Sequence, residues 1–298
     1  MKKFFANIAL FLTALIWGLS FVAQRAGMDY IGPFTFNAVR SIIGGFSLIP
    51  VIFILKLMKT DKRTLKRKQV QRTRMWHAGF WCGLALFIAM SIQQYCMIYV
   101  SAGKAGFITA LYIIYVPLIS MLYMGHKLHK NVKIGVILAI MGLYLLCFEP
   151  SSNGFEIYDA LLLVSTFFYG VHILIVNHFS HKVNAVKASC IQFFIVGLLS
   201  IPLMFLFETP TISSIVACKA PILYAGILTC GVAYTIQIFG QKYTAPTVAS
   251  IILSLESVFA VLGGSIILHE FLSFKEVVGC ILMISAVLLS EIKPKKRF

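Results

Sequence analysis

Runs of about twenty predominantly apolar residues, repeated along the whole chain and separated by short polar stretches, constrain this sequence more than any other feature. A run of that length crosses roughly 30 Å of hydrocarbon at about 1.5 Å per residue. Lipid offers no partner to backbone N–H and C=O groups, so each run must close its hydrogen bonds internally as a helix. The runs fall at 4–23, 33–55, 76–99, 104–124, 132–148, 158–178, 186–207, 221–242, 246–268 and 274–292. They predict an all-α integral membrane protein with ten transmembrane helices. Composition agrees: 59% of residues are hydrophobic and 12% charged, where a soluble domain carries about a quarter charged residues. Pro50, Pro117 and Pro202 lie inside spans and predict kinks held by neighbouring helices. The first run follows Lys2 and Lys3 but lacks a small-x-small cleavage pattern, so it is expected to stay in the mature protein.

A formal net charge of +16 would suggest nucleic acid in a soluble chain, but the 26 Lys and Arg sit almost entirely between spans. Assigning alternate loops to opposite sides puts 21 of them on the side of the N-terminus, nine of these within residues 56–74. Only Arg25, Lys104, Lys219 and Lys275 fall on the other side. The positive-inside rule then places both termini in the cytoplasm, which an even number of spans requires. A bacterial inner membrane is the expected location. Anionic lipid headgroups suit the basic loop, and no nucleic-acid role is expected. The seven cysteines show neither CxxC nor Cys/His ligand spacing, so they are expected to pack rather than bind metal, and no cofactor is implied.

The two halves of the chain resemble each other. At an offset of 152, Trp17 meets Tyr169, Gly18 meets Gly170, Gly45 meets Gly197 and Pro50 meets Pro202. At an offset of 143, Gly83 meets Gly226, Gln94 meets Gln237 and Ala102 meets Ala245. Two stretches without gaps predict a first five-helix repeat over residues 1–149 and a second over 150–298. Five spans is an odd number, so the second repeat enters the membrane from the opposite side. Inverted repeats suit a transporter, because two similar packings of opposite orientation give outward-open and inward-open states of similar energy.

These features meet in a family resemblance. Ile16-Trp17-Gly18, Arg40, the stretch Ser101-Ala102-Gly103-Lys104-Ala105-Gly106-Phe107-Ile108-Thr109 leading to Val116-Pro117-Leu118, and Leu255-Glu256-Ser257-Val258-Phe259-Ala260 followed by His269-Glu270 carry it. Together they resemble the EamA-type family of the drug/metabolite transporter superfamily over nearly the whole chain. The sequence departs from the family at Ser257, where Pro is usual, and at His126-Lys127, where Gly-Glu is usual. The resemblance implies ten helices in two inverted repeats and secondary transport of small metabolites or amino acids, often outward.

Polar side chains within spans are costly unless they face partners or a wet cavity. Thr13, Trp17, Ser20 and Gln24 share a face of the first span, and the repeat maps the first three onto Ser165, Tyr169 and His172. Interhelical hydrogen bonding is the alternative reading of the hydroxyls. Gln94 and Gln237 are repeat partners expected near the pseudo-symmetry axis, and Tyr112 adds a hydroxyl from the fourth span. Arg40, His172 and Glu256 are ionisable groups well inside spans, each of which needs a partner, a cavity or neutralisation. Trp17, Arg40, Gln94, Tyr112, Tyr169, His172 and Gln237 are therefore the expected substrate-binding residues, and Glu256 the expected proton-coupling carboxylate. Arg40 either neutralises a substrate carboxylate, pairs with Glu256 or braces the bundle.

The predicted function is a secondary carrier, more specifically an exporter, of a small metabolite such as an amino acid. It acts as a monomer or homodimer by alternating access. A channel or receptor-like protein is the competing class. An enzyme is not expected, since the His126/His129 and His178/His181 pairs lack HExxH and a third ligand. No GxxxxGK[ST] motif supports an ATP-driven pump.

Overall fold

The structure is a computed structural model that describes residues 1–58, 65–125, 128–147, 156–268 and 273–292. The basic residues between 59 and 64, His126-Lys127, His269-Glu270, the basic tail from Lys293 and the side chain of Cys147 lie outside the described residues. Among the described residues every element is helical: α1 (Lys2–Gly27), α2 (Pro33–Met58), α3 (Leu65–Cys96), α4 (Ala102–Ala110), α5 (Tyr112–Met124), α6 (Lys130–Cys147), α7 (Ile157–Ser180) and α8 (Ala185–Phe207). The short α9 (Ile212–Ala217) and α10 (Lys219–Leu223) lead into a π-helix, Tyr224–Ala233. The chain continues as α11 (Tyr234–Gln241), α12 (Pro246–Leu253), α13 (Glu256–Leu268) and α14 (Phe274–Glu291).

Eight helical stretches are long and apolar enough to cross a membrane: Lys2–Gly27, Pro33–Met58, Gln69–Cys96, Ala102–Tyr123, Ile157–Ser180, Ala185–Phe207, Lys219–Gln241 and Pro246–Gly263. They coincide with eight of the ten runs expected from sequence. At the two remaining runs the chain forms α6 and α14, of 18 residues each. Phe46, Phe53, Leu122, Leu198, Phe205 and Phe207 are exposed on the outside of the bundle, as side chains dissolved in lipid would be. Cys82, Cys96, Cys190, Cys218 and Cys230 are free and buried.

Small residues set the closest helix approaches, as expected where lipid removes the hydrophobic drive between helices. In the α2–α8 pair a Cβ added at Gly45 would sit 3.1 Å from the Phe194 ring, and one at Gly197 would sit 2.7 Å from Ile42. Phe34 packs against Phe207 at the far end of the same pair, so the two helices run antiparallel. The α6–α14 pair repeats the pattern, with Gly135 against the carbonyl of Ala286 and Gly142 against that of Gly279. On α3, Gly83 meets the carbonyl of Gln192 and the side chain of Ile195, while Gly226 of the π-helix meets the carbonyl of Arg40 and the side chain of Ile43.

Three local features interrupt the helices, all beside the central cavity. Between α4 and α5 the N–H of Leu111 bonds back three residues to Ile108, and Ile114 to Leu111. The Ile108 carbonyl is also claimed by the Thr166 hydroxyl. Between α12 and α13, Leu255 bonds to Ile252 and Ser257 to Ser254 in the same tightened manner. The hydroxyls of Ser250, Ser254 and Ser257 each bond to the carbonyl three residues back, a competition that bends helices. Pro50, Pro117 and Pro202 lie inside continuous helices. The third interruption is the ten-residue π-helix, a conformation rare elsewhere and concentrated at functional sites.

Candidate functional site

A central cavity is lined by Trp17, Ser20, Phe21 and Gln24 of α1, Arg40 of α2, Met90 and Gln93 of α3, Thr109, Tyr112, Tyr169, Thr229, Tyr234 and Glu256. Its volume is about 40 Å³, room for a few water molecules at roughly 10–15 Å³ of such space each. The helix breaks deliver two of the key side chains: Tyr112 and Glu256 are the first residues of α5 and α13. The π-helix supplies Thr229.

A guanidinium and a carboxyl group share this cavity without an ion pair between them. Arg40 is 1% exposed and Glu256 is 3% exposed. Among the described residues no ion pair joins them, Arg40 Nε and Glu256 Oε1 have no hydrogen-bond partner, and the Arg40 guanidinium lies 5.2 Å from the centre of the Phe36 ring. Tyr112 faces the Glu256 carboxyl group. Tyr169 and Tyr234 lie within electrostatic reach of both charges. Leaving such groups unpaired inside a membrane protein is costly, and sites that do so are generally functional.

One wall is tied together. Tyr169 donates to Gln93 Oε1 at 2.8 Å, and Gln93 Nε2 donates to the Thr109 hydroxyl at 2.7 Å. Another part of the lining is aromatic, with Trp17 packed on Tyr234 at a centroid separation of 4.6 Å. The indole Nε1 of Trp17 and the hydroxyl of Thr229 are buried without partners. The cavity therefore offers a cation, a carboxyl group, free donors and aromatic faces, a combination suited to a small amphipathic molecule.

Five of the eight residues expected from sequence line this cavity: Trp17, Arg40, Tyr112, Tyr169 and Glu256. Gln94, His172 and Gln237 are not in its lining. Gln94 is fully buried and donates to the Gln24 carbonyl and the Met28 sulfur. His172 lies 3.4 Å from Gln192 Oε1, and both amide atoms of Gln237 are buried without partners. Thr13 and Ser165 are helix-to-helix ties, donating to the carbonyls of Ala233 and Ala89. Among the described residues no three or more His, Cys, Asp or Glu are placed to hold a metal ion.

Apolar helices of spanning length around a buried polar cavity define a multi-pass membrane protein. The profile of the EamA-like transporter family matches residues 4–148 and 156–291, and the chain belongs to that family. An uncharacterized transporter of Archaeoglobus fulgidus is 31% identical over 297 residues, covering 98% of this chain and 88% of its own. The uncharacterized transporter YoaV of Bacillus subtilis is 22% identical, covering 95% of each chain. A solved structure, described only as the crystal structure of a protein, aligns with a TM-score of 0.75 at 17% identity over 96% of both chains. That likeness concerns the fold alone.

Proposed function

We propose that the chain is a secondary exporter of small metabolites carrying a carboxylate and a basic group, such as amino acids, and that it exchanges them for protons. The observation that carries this reading is the buried Arg40 guanidinium and the buried Glu256 carboxyl group in one cavity, with no ion pair between them among the described residues. A guanidinium binds carboxylate through strong charge-assisted hydrogen bonds. Glu256 then takes either a proton or the cationic group of the cargo. One carboxylate that holds the two in turn couples outward movement of cargo to inward movement of protons. No metal or cofactor has a part in this cycle.

Alternating access follows from two inverted repeats, residues 1–149 and 150–298, with α6 and α14 as the fifth and tenth spans. Reciprocal contacts support this symmetry. Residues 42 and 45 correspond to 194 and 197 at the offset of 152, and the Gly45–Phe194 and Gly197–Ile42 contacts exchange under that swap. Gly83 against Gln192 and Ile195 likewise exchanges with Gly226 against Arg40 and Ile43. Antiparallel packing of α2 on α8 fits a two-fold axis lying in the membrane plane. The two matched family segments, one in each half, support the same division.

Past the π-helix the correspondence moves by one residue. The Thr13–Ala233 and Ser165–Ala89 bonds exchange at an offset of 144 rather than 143. Tyr112 and Glu256, which open the resumed helices, also correspond at 144. The wide turn takes up one residue that α3 lacks, the usual origin of such a segment. Gln237 therefore corresponds to the cavity-lining Gln93 rather than to Gln94.

Loop charge supports cytoplasmic termini in a bacterial-type plasma membrane. With that orientation the cavity lies in the outer half of the bilayer. Its small volume requires the helices to part before cargo enters, and the breaks at Leu111 and at Ser254-Leu255 are the natural hinges. The oligomeric form, monomer or homodimer, does not alter this scheme. The test is transport by purified protein in liposomes loaded with a fractionated metabolite extract under an imposed pH gradient, read by mass spectrometry. Gradient-dependent release of a carboxylate metabolite supports the proposal. Release of none under any gradient refutes it.

A further inference from the structure

Beneath the cavity lies a second polar cluster: His172, Ser189, Gln192, Gln237 and Gln241, all buried. Among them Ser189 Oγ, Gln192 Nε2, both amide atoms of Gln237 and Gln241 Oε1 have no hydrogen-bond partner. Two contacts serve the rest: His172 stands 3.4 Å from Gln192, and Gln241 donates to the Ile173 carbonyl at 3.0 Å. Buried polar groups are nearly always satisfied, so five such atoms in one patch mark a place that takes a polar partner from outside the helices. The Tyr234 ring separates this cluster from the cavity. It touches Trp17 on the cavity side, and His172 and Phe193 on the other.

The repeat gives the cluster its meaning, and the inference rests on the inverted-repeat reading above. His172 and Gln192 correspond to Ser20 and Arg40 at an offset of 152, and Gln237 corresponds to Gln93 at 144. Ser20, Arg40 and Gln93 all line the outer cavity. We infer that His172, Gln192 and Gln237, with Ser189, form a second, cytoplasmic half-site that is collapsed in this structure. It opens to water and cargo when the outer cavity closes.

The two half-sites differ in one chemical respect. The outer one holds a guanidinium at Arg40, where the inner one holds the neutral amide of Gln192. The inner half-site therefore receives water and the uncharged polar parts of the cargo but gives a carboxylate no cation. A cargo anion is held firmly on the outer side of Tyr234 and loosely on the inner side.

Two isosteric single substitutions test this, each read as labelling by a membrane-impermeant thiol reagent above that of the wild-type chain, in right-side-out and inverted vesicles. Ser20→Cys reports on the outer cavity and Ser189→Cys on the inner cluster. The inference predicts labelling of S20C from the outer face only and of S189C from the cytoplasmic face only, the latter at a rate changed severalfold by a pH gradient that drives the cycle. Labelling of S20C from outside with S189C reached from neither face overturns the second half-site and leaves the repeat reading intact. Labelling of both from the same face overturns the repeat reading itself. A thermal unfolding midpoint within a few degrees of wild type shows that each variant is folded, and Ser189→Ala supplies the unlabelled control at that position.

Discussion

The phenol of Tyr112 faces the carboxyl group of Glu256, and each residue is the first of a helix that resumes after a break. In the inverted-repeat arrangement proposed above the two positions correspond under exchange of the halves, so one symmetric pair of proposed hinges carries an asymmetric pair of groups, a hydroxyl and an acid. Any movement at the hinges changes what Glu256 touches.

Glu256→Gln keeps the shape of that contact and removes the exchangeable proton. Cargo exchange between two populations of the same molecule should persist only at weaker apparent affinity, because the cargo's cationic group loses its carboxylate, whereas acceleration by a pH gradient should vanish. The tyrosines near Glu256, namely Tyr112, Tyr169 and Tyr234, are all retained in this variant. Flux in proteoliposomes with and without the gradient checks this, and unchanged gradient dependence in E256Q excludes Glu256 as the coupling group.

Arg40→Met should separate stability from function. The guanidinium has no carboxylate partner among the described residues, and replacing a buried unpaired charge by an apolar side chain of similar length is neutral or stabilising. Charge-assisted hydrogen bonds are worth about 1.5–3 kcal/mol, so apparent affinity for a carboxylate cargo should fall roughly ten- to a hundredfold. The expected result is an unchanged or higher unfolding midpoint with transport lost. A large loss of stability would instead make Arg40 a brace.

Glu208 caps α2 from the end of α8. Its carboxylate accepts the N–H groups of Phe34 at 2.7 Å and Thr35 at 2.8 Å, and the Thr35 hydroxyl. Removing a cap with charge at a helix N-terminus costs about 1–2 kcal/mol. Glu208→Ala should therefore lower the unfolding midpoint in detergent, with Glu208→Gln intermediate.

Deleting one residue from the π-helix, for example Leu228, removes the wide turn and leaves the register of Tyr234, Gln237 and Gln241 with their neighbours in place. Expression and thermal stability should survive while transport falls through displacement of Thr229. Deleting Leu84 from the regular α3 turns every later side chain by about 100° and should abolish folding. Equal damage from both deletions, measured by size-exclusion profile and melting, would contradict the one-residue account of the π-helix.

Much of this was legible in the sequence, for identifiable reasons. Run length alone located the helices, and the cost of polar groups in lipid singled out Trp17, Arg40, Tyr112, Tyr169 and Glu256, which the fold brings to one cavity. A constant offset pairs Gln237 with Gln94, whereas Gln93 lines the cavity; in the proposed repeat the widened turn absorbs the one residue that a constant offset cannot register. The breaks were also hidden. Pro117 pointed to a kink, but the chain breaks at Leu111, where the Thr166 hydroxyl from a distant helix competes for the Ile108 carbonyl. The second break needs no proline, since serine hydroxyls bonded to nearby carbonyls suffice. The first depends on a contact between spans, which local pattern does not encode, whereas the second lies in the serine spacing itself.

Counterflow in proteoliposomes tests the carrier claim most directly: vesicles hold unlabelled carboxylate cargo, and a trace of labelled cargo is added outside. A single site exposed alternately to the two faces predicts transient accumulation of label inside above its external concentration, absent in Arg40→Met. Monotonic equilibration of label in the wild-type protein, without overshoot, would contradict the account and point to an open pore.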